Sequence, residues 1–407
     1  TGRYCTGCEA FLQASDLTDG RCPAHRDPLE EVSERNWFFR LSRHQTALLS
    51  ALKSGSLRVV PEERHNEVVR FAESGLNDFS VSRSRARSRN WGIGVPSDAE
   101  QVIYVWFDAL THYLSLLGFP EQTPDLSRYW SGPGERQHLI GKDILRFHAL
   151  YWPAILLSAG LPLPTCIRVH GYVTQEGEKI GKSLGNSVDP FALVDGYGTS
   201  AVRFFFLRHL HTTKDSDFRL ARLPEAHDSE LAGKLGNLLQ RVTTLCLRHP
   251  EPPPGARALP GDHERSLEQA AERAWADVVA AVDDFALHEA LAAIWELIAS
   301  ANRYADVTQP WALSKLAQAE ESTATPASAQ LSLVLRSLLE TLRVTAILLA
   351  PFLPAAAREI AERIGSPLAE LNDYERARFR HASHFAPRTG GPLFPRLGSA
   401  GPRAEVY

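Results

Sequence analysis

Residues 138–206 read HLIGKDILRFHALYWPAILLSAGLPLPTCIRVHGYVTQEGEKIGKSLGNSVDPFALVDGYGTSAVRFFF, and the order of the pieces in this stretch decides the fold. An apolar run, Cys166 to Val169, reads as a buried strand and ends at His170-Gly171. The basic loop Lys179-Ile180-Gly181-Lys182-Ser183 follows, then Leu184-Gly185-Asn186, and a helix is expected to open near Asp189-Pro190. Alone, such a basic loop is most often a solvated turn, so its place between a strand and a helix carries the information. Upstream, Ile144, His148 and Trp152 are spaced four apart, which stacks them on one helical face. Gly141-Lys142-Asp143 precedes them, offering a glycine that permits close backbone approach and a carboxylate able to accept from ribose hydroxyls.

Outward from this stretch the pattern stays that of an α/β sheet. Gln101 to Leu117, QVIYVWFDALTHYLSLL, begins as a buried strand and turns helical. Trp106, Asp108, Ala109 and Tyr113 therefore sit at a strand-to-helix transition, where open α/β sheets bind ligands; core packing is the commoner fate of an isolated Trp or Tyr. Asn36 to Leu52 has helical apolar spacing after an aromatic start. The segment between Ser82 and Asn90 alternates with arginines, which ordinarily means a solvated face or a generic anion patch. At the N-terminal end, Cys5-x2-Cys8 and Cys22-x2-His25 supply four soft or borderline ligands from two tight turns. That is the pattern of a closed, structural tetrahedral Zn²⁺ site, with a disulfide as the alternative.

From about Pro224 the β-branched runs disappear. Amphipathic helices are expected over Asp228 to Arg248, His263 to Val282, Ala286 to Val307 and Leu331 to Leu349, with loops at His249 to Asp262 and Glu320 to Gln330. The fold class is thus α/β followed by an all-α bundle. The chain has 407 residues, 44% hydrophobic and 23% charged, with net charge −4. This is an ordinary globular composition, and any nucleic-acid contact must come from a local basic patch. No secretory signal is evident, and the longest apolar run, Ala346 to Ala357, is broken by Pro351 and Pro354, so no membrane span is expected. The chain contains no methionine, a residue that fills core gaps but is replaceable there.

The quoted motifs resemble the methionyl-tRNA synthetase family of class I aminoacyl-tRNA synthetases, from Tyr4 almost to the C-terminus. Lys179 to Ser183 is similar to the family's Lys-Met-Ser-Lys-Ser signature, with both lysines and the serine retained. The resemblance implies ATP-dependent activation of methionine to its adenylate and transfer to tRNA, with Mg²⁺ accompanying ATP. Ammonium groups of Lys179 and Lys182, beside Ser183, would stabilise charge developing on the departing pyrophosphate. It further implies nucleotide contacts at Gly141, Asp143, His170 and Gly171, and a methionine pocket of Trp106, Ala109, Tyr113, Ile144, His148 and Trp152, whose aromatic walls suit a polarizable thioether. Ser82-Arg83-Ser84-Arg85 and Trp91-Gly92 match a family segment near the active site and the tRNA acceptor end. Asn237, Arg241 and Trp311 match positions that read the anticodon, a combination of amide, guanidinium and indole suited to unstacked bases.

By the same resemblance, residues 1–55 form a zinc-knuckle insertion and 56–175 the second half of a Rossmann-type catalytic domain. Residues 176–223 form the lysine loop and stem-contact region, 224–390 the anticodon-binding bundle, and 391–407 a tail. A cytoplasmic location is expected. The family's His-x-Gly-His signature does not occur in the sequence, so the Rossmann-type domain is expected to be incomplete, and a non-catalytic tRNA-binding or regulatory paralogue stands as the alternative.

Overall fold

The structure is a computed structural model that describes residues 2–5, 10–12, 17, 19–22, 28–175, 177–180, 188–249, 258–319, 325–366, 377–379 and 385–397. It divides into two compact units, Thr1–Val169 and His170–Tyr407.

In the first unit, strand Gly2–Cys5 lies between Ala10–Leu12 and Glu30–Val32, antiparallel to both. A second sheet has the order Gln137–Gly141, Cys166–His170, Arg58–Val60, the last two parallel. Its core is filled by Leu48, Leu52, Val59, Ile140, Leu150, Ile167 and Val169 from the strands and from helices Gln45–Ser54, Glu62–Glu73 and Trp152–Ala159 and the turns before them. A third sheet, Ser82–Ser84, Asp98–Ile103 and Gly94–Val95, is antiparallel and leads directly into helix Val105–Ser115. The strand-then-helix reading of Gln101 to Leu117 is what the structure has. Asn36 to Leu52 likewise turns helical after its aromatic start, and the structure shows what that start does. Phe38–Phe39 pairs antiparallel with Phe79–Ser80, and only then do a 3₁₀ turn, Leu41–His44, and helix Gln45–Ser54 follow. The two phenylalanines earn more by cross-strand packing than by joining the helix, since Phe39 and Phe79 have centroids 5.6 Å apart.

In the second unit, strands Val173–Gln175, Glu178–Lys179 and Ser216–Asp217 form a small sheet, with the hairpin antiparallel and the outer pair parallel. Helix Pro190–Tyr197 opens at the expected place because the Asp189 carboxylate caps it, accepting from the Phe191 amide at 2.9 Å, with Pro190 at the first helical position. The bundle consists of Thr199–His209, Asn237–Arg248, Asp262–Asp283, Leu287–Thr308, Pro310–Ala319, Pro326–Leu349 and Pro354–Arg363, packed on one core that includes Phe204, Leu239, Ile294, Leu342 and Ile360. His227–Gly236, read from sequence as α-helix, is a π-helical stretch running into Asn237–Arg248. Two boundaries differ from the sequence reading for one reason. Prolines start both helices: the end of the expected Glu320 to Gln330 loop is already helix, since Thr325 caps Pro326–Leu349 by accepting from the Ser328 amide at 3.2 Å, and Pro354, taken as an interruption, sits in the first turn of Pro354–Arg363.

Inside Pro326–Leu349, Glu340 and Arg343 form a buried two-point ion pair, with Nη2 to Oε1 at 2.6 Å and Nε to Oε2 at 3.0 Å; Arg343 also donates to the Arg378 carbonyl at 2.7 Å. Removing one partner strands a desolvated charge. Glu340→Ala is expected to cost about 3–5 kcal/mol of stability in urea unfolding, and a loss below about 1 kcal/mol would show that the pair is solvated.

Candidate functional site

The Val105–Ser115 helix follows Tyr104 without a side-chain cap. Trp106, Ala109, Leu110 and Tyr113 recur at helical spacing and so share a face, with Leu110 buried in the core and Ala109 exposed. Trp106 stacks on Phe147 with centroids 4.7 Å apart and an interplanar angle of 24°. Tyr113 sits on the His138 ring at 4.1 Å and faces Trp152 at 6.1 Å.

His148 is the pivot of the cluster. Its Nδ1 lies 2.9 Å from the Ile144 carbonyl and its Nε2 2.9 Å from the Tyr113 hydroxyl. A carbonyl can only accept, so Nδ1 carries the proton and the phenol donates to Nε2. In the neutral ring that burial favours, this fixes the tautomer. Burial pushes the His148 pKa below its ordinary value, opposed by the bond to Ile144. Burial likewise pushes Tyr113 above its ordinary value. His138 is lowered to about 4, by burial first and then by repulsion from His148.

His148 meets the Ile144 carbonyl, and His148 and Trp152 both meet Tyr113, through mixed geometry rather than one α-helical face. Ile144 ends a 3₁₀ turn, Lys142–Ile144, His148 lies in a π-helical turn, Phe147–Tyr151, and Trp152 begins the α-helix. Trp152 is fully buried and meets Trp130 edge-on at 5.9 Å. Gly141 ends strand Gln137–Gly141, and the exposed Asp143 lies in the 3₁₀ turn that follows.

His138 and Trp130 were not singled out in the sequence. The usable signal was period-two alternation in Gln137–Gly141, which buries His138 and Ile140 together. His138 Nε2, Trp130 Nε1 and Trp152 Nε1 are buried without a hydrogen-bond partner among the described residues.

The arginine segment borders a cleft of about 950 Å³ lined by Tyr4, Arg83, Arg87, Arg89, Trp91 and Asp108 among others. Arg83 and Arg87 lie over the rings of Tyr104 and Tyr4, at 4.1 and 3.9 Å. Trp91 is exposed, and Arg89 and Asn90 both adopt left-handed backbone. Of the candidate metal ligands, Cys5 and Cys22 are both buried, while Cys8 and His25 lie outside the described residues.

In the second unit, His170 donates from Nδ1 to the Gly171 carbonyl at 2.8 Å. Lys179 ends the second strand of a hairpin, and Lys182 and Ser183 lie outside the described residues. In the bundle, the Arg241 guanidinium lies 4.7 Å from the Trp311 ring centroid and 3.9 Å from Asp306. Asn237 is exposed at the start of the same helix as Arg241. Gln309, in left-handed conformation, ends one helix and turns the chain so that Pro310–Ala319 can start.

Neutral His138 and His148 link folding to pH. Their pKa values lie below the unfolded value near 6.5, so the unfolded chain binds protons first and stability falls as pH drops from 6.5 toward 4. For His138 alone the loss is roughly 3 kcal/mol. His138→Gln should flatten this part of the thermal-midpoint profile, and an unchanged profile would mean that His138 protonates normally.

A family model described as "tRNA synthetases class I (M)" matches residues 1–243, and one for the anticodon binding domain of methionyl tRNA ligase matches residues 253–382. Methionine–tRNA ligase of Nostoc sp. is 39% identical over 377 residues, covering 89% of this chain and 67% of its own length. That of Caldanaerobacter subterraneus is 39% identical over 401 residues, covering 97% and 60%. The solved Mycobacterium tuberculosis methionyl-tRNA synthetase in complex with methionyl-adenylate superposes with TM-score 0.83 at 36% identity, over 97% of this chain and 76% of that one. The chain thus spans only part of the length of the proteins it matches.

Proposed function

Because the chain belongs to the methionine-type class I tRNA synthetases, we propose that it acts in ATP-dependent formation of methionyl-adenylate and transfer of methionine to its tRNA. The observation that carries this reading is the Tyr113–His148 hydrogen bond inside a neutral aromatic cluster. A pocket of uncharged rings suits an apolar, polarizable thioether and disfavours charged side chains. In this reading Trp106, Ala109, Tyr113, Ile144, His148 and Trp152 form the methionine pocket. His138 holds Tyr113 from behind, as their ring contact at 4.1 Å supports.

Gly141, Asp143, His170 and Gly171 contact ATP, and Lys179 and Lys182, with Ser183, stabilise the departing pyrophosphate. Mg²⁺ travels with ATP and neutralises phosphate charge. Catalysis is by positioning and electrostatic stabilisation, without a covalent enzyme intermediate. Cys5, Cys8, Cys22 and His25 hold one structural Zn²⁺; the burial of Cys5 and Cys22 fits a thiolate site closed to water. Asn237, Arg241 and Trp311 bind the anticodon. The Arg241–Trp311 contact supports that reading, because one guanidinium and one indole face can clasp a splayed base together. Among the described residues no helix is long and apolar enough to cross a membrane; in this reading the ligase works beside tRNA in the cytoplasm.

The reading is tested by methionine-dependent exchange of pyrophosphate into ATP. Tyr113→Phe and Trp106→Ala should each raise the KM for methionine roughly tenfold, the order expected for one lost hydrogen bond or aromatic wall. Absence of exchange in the unsubstituted protein would overturn the proposal. In parallel, Trp311→Ala should weaken binding of methionine tRNA by roughly tenfold or more and leave pyrophosphate exchange unchanged. Unchanged tRNA binding would remove Trp311 from the anticodon site.

A further inference from the structure

The residues just before the lysine loop are held by a loop from elsewhere in the second unit. Gly171 is buried against the backbone of Lys214 and Asp215; a Cβ there would fall 2.2 Å from the Lys214 carbonyl carbon. Next, the Tyr172 amide donates to Asp215 Oδ1 at 2.9 Å, and the Ser216 amide returns a bond to the Tyr172 carbonyl at 2.9 Å. Val173 and Thr174 then pair in parallel with Ser216 and Asp217. The holding loop is itself braced, because His211 Nδ1 accepts from the amides of Thr213 and Lys214 at 3.2 and 3.3 Å.

At the end of this track, one oxygen of Asp217 reaches across the hairpin turn. Its Oδ1 accepts from the Gly177 amide at 3.0 Å and from the Thr174 hydroxyl at 3.3 Å, while Oδ2 accepts from Arg219 Nε at 3.0 Å. Gly177 has φ +81°, a left-handed position that only glycine adopts cheaply. The hairpin continues at once into Glu178–Lys179, and so into the Lys179–Ser183 signature. Arg219 is largely exposed, so its ion pair contributes little. The effective contact is the carboxylate oxygen accepting from the turn amide.

We propose that Asp217 is a positioning residue: by accepting from Gly177 it fixes the hairpin whose second strand ends at Lys179, the first lysine of the signature. This deepens the ligase reading and rests on it. Asp217 touches no reacting atom. It acts through the hairpin, and since transition-state stabilisation depends on placement to within about 1 Å, a loosened hairpin should cost rate and leave methionine binding alone.

The test compares Asp217→Ala with Asp217→Asn, which keeps an oxygen acceptor and drops the charge. In Asp217→Ala, kcat for pyrophosphate exchange should fall roughly tenfold to hundredfold with the KM for methionine unchanged. Hydrogen exchange at the Gly177 amide should accelerate by about tenfold or more, and the thermal midpoint should stay close to that of the parent. In Asp217→Asn both readouts should return to within about threefold of the parent, because the amide oxygen replaces the acceptor. Unchanged Gly177 exchange in the Ala variant overturns the anchor, and faster exchange with undiminished kcat overturns the positioning role. If the unsubstituted protein shows no pyrophosphate exchange, the ligase reading fails separately, and tryptic cleavage after Lys179 decides. A rate changed by Asp217→Ala and restored by Asp217→Asn supports the proposal, and an unchanged rate overturns it.

Discussion

The candidate pocket depends on one constraint: His148 must stay neutral with its proton on Nδ1. The Ile144 carbonyl holds that proton, which leaves Nε2 as an acceptor and obliges the Tyr113 hydroxyl to donate. His138 packs 5.9 Å from the same ring and is itself kept neutral by burial. Two protonated imidazoles at that distance in a desolvated cluster would repel one another and leave the surrounding aromatic faces beside uncompensated charge. Around the neutral pair, Tyr113, Trp130 and Trp152 pack as an uncharged wall, with Trp106 and Phe147 continuing it along the helix.

The second unit is governed by backbone satisfaction rather than by side-chain charge. Asp189 caps one helix, Thr325 another, and Asp215 and Asp217 complete the amides of Tyr172 and Gly177 that the small sheet leaves open. Each aspartate here does the work of a short piece of backbone. Glu340 and Arg343 add a charge pair enclosed in the bundle core with an additional carbonyl partner.

Much of this was legible in the sequence. The Cys166–His170 strand, the helix starting beyond Asp189, the strand-to-helix turn at Tyr104 and the one-turn spacing of Asn237 and Arg241 all follow from local pattern and capping chemistry. What escaped depends on long-range packing or on the exact helical hydrogen-bond period. A lone His138 in a strand carries no local sign that it will meet Tyr113. The strand pairing of Phe38–Phe39 is invisible until its partner Phe79 is known. The π-helical turn at Phe147–Tyr151 leaves no signature in the spacing of Ile144, His148 and Trp152. Pro354 was ambiguous because proline both ends and begins helices.

The central claim is that a neutral, tautomerically fixed His148 and its Tyr113 partner form a methionine site. The most direct measurement is ¹⁵N NMR of the His148 imidazole near pH 6, with and without methionine. The account predicts resonances of a neutral ring protonated at Nδ1, shifting saturably as methionine is added. A ring that titrates near pH 6.5, or one that methionine leaves unmoved, would contradict it.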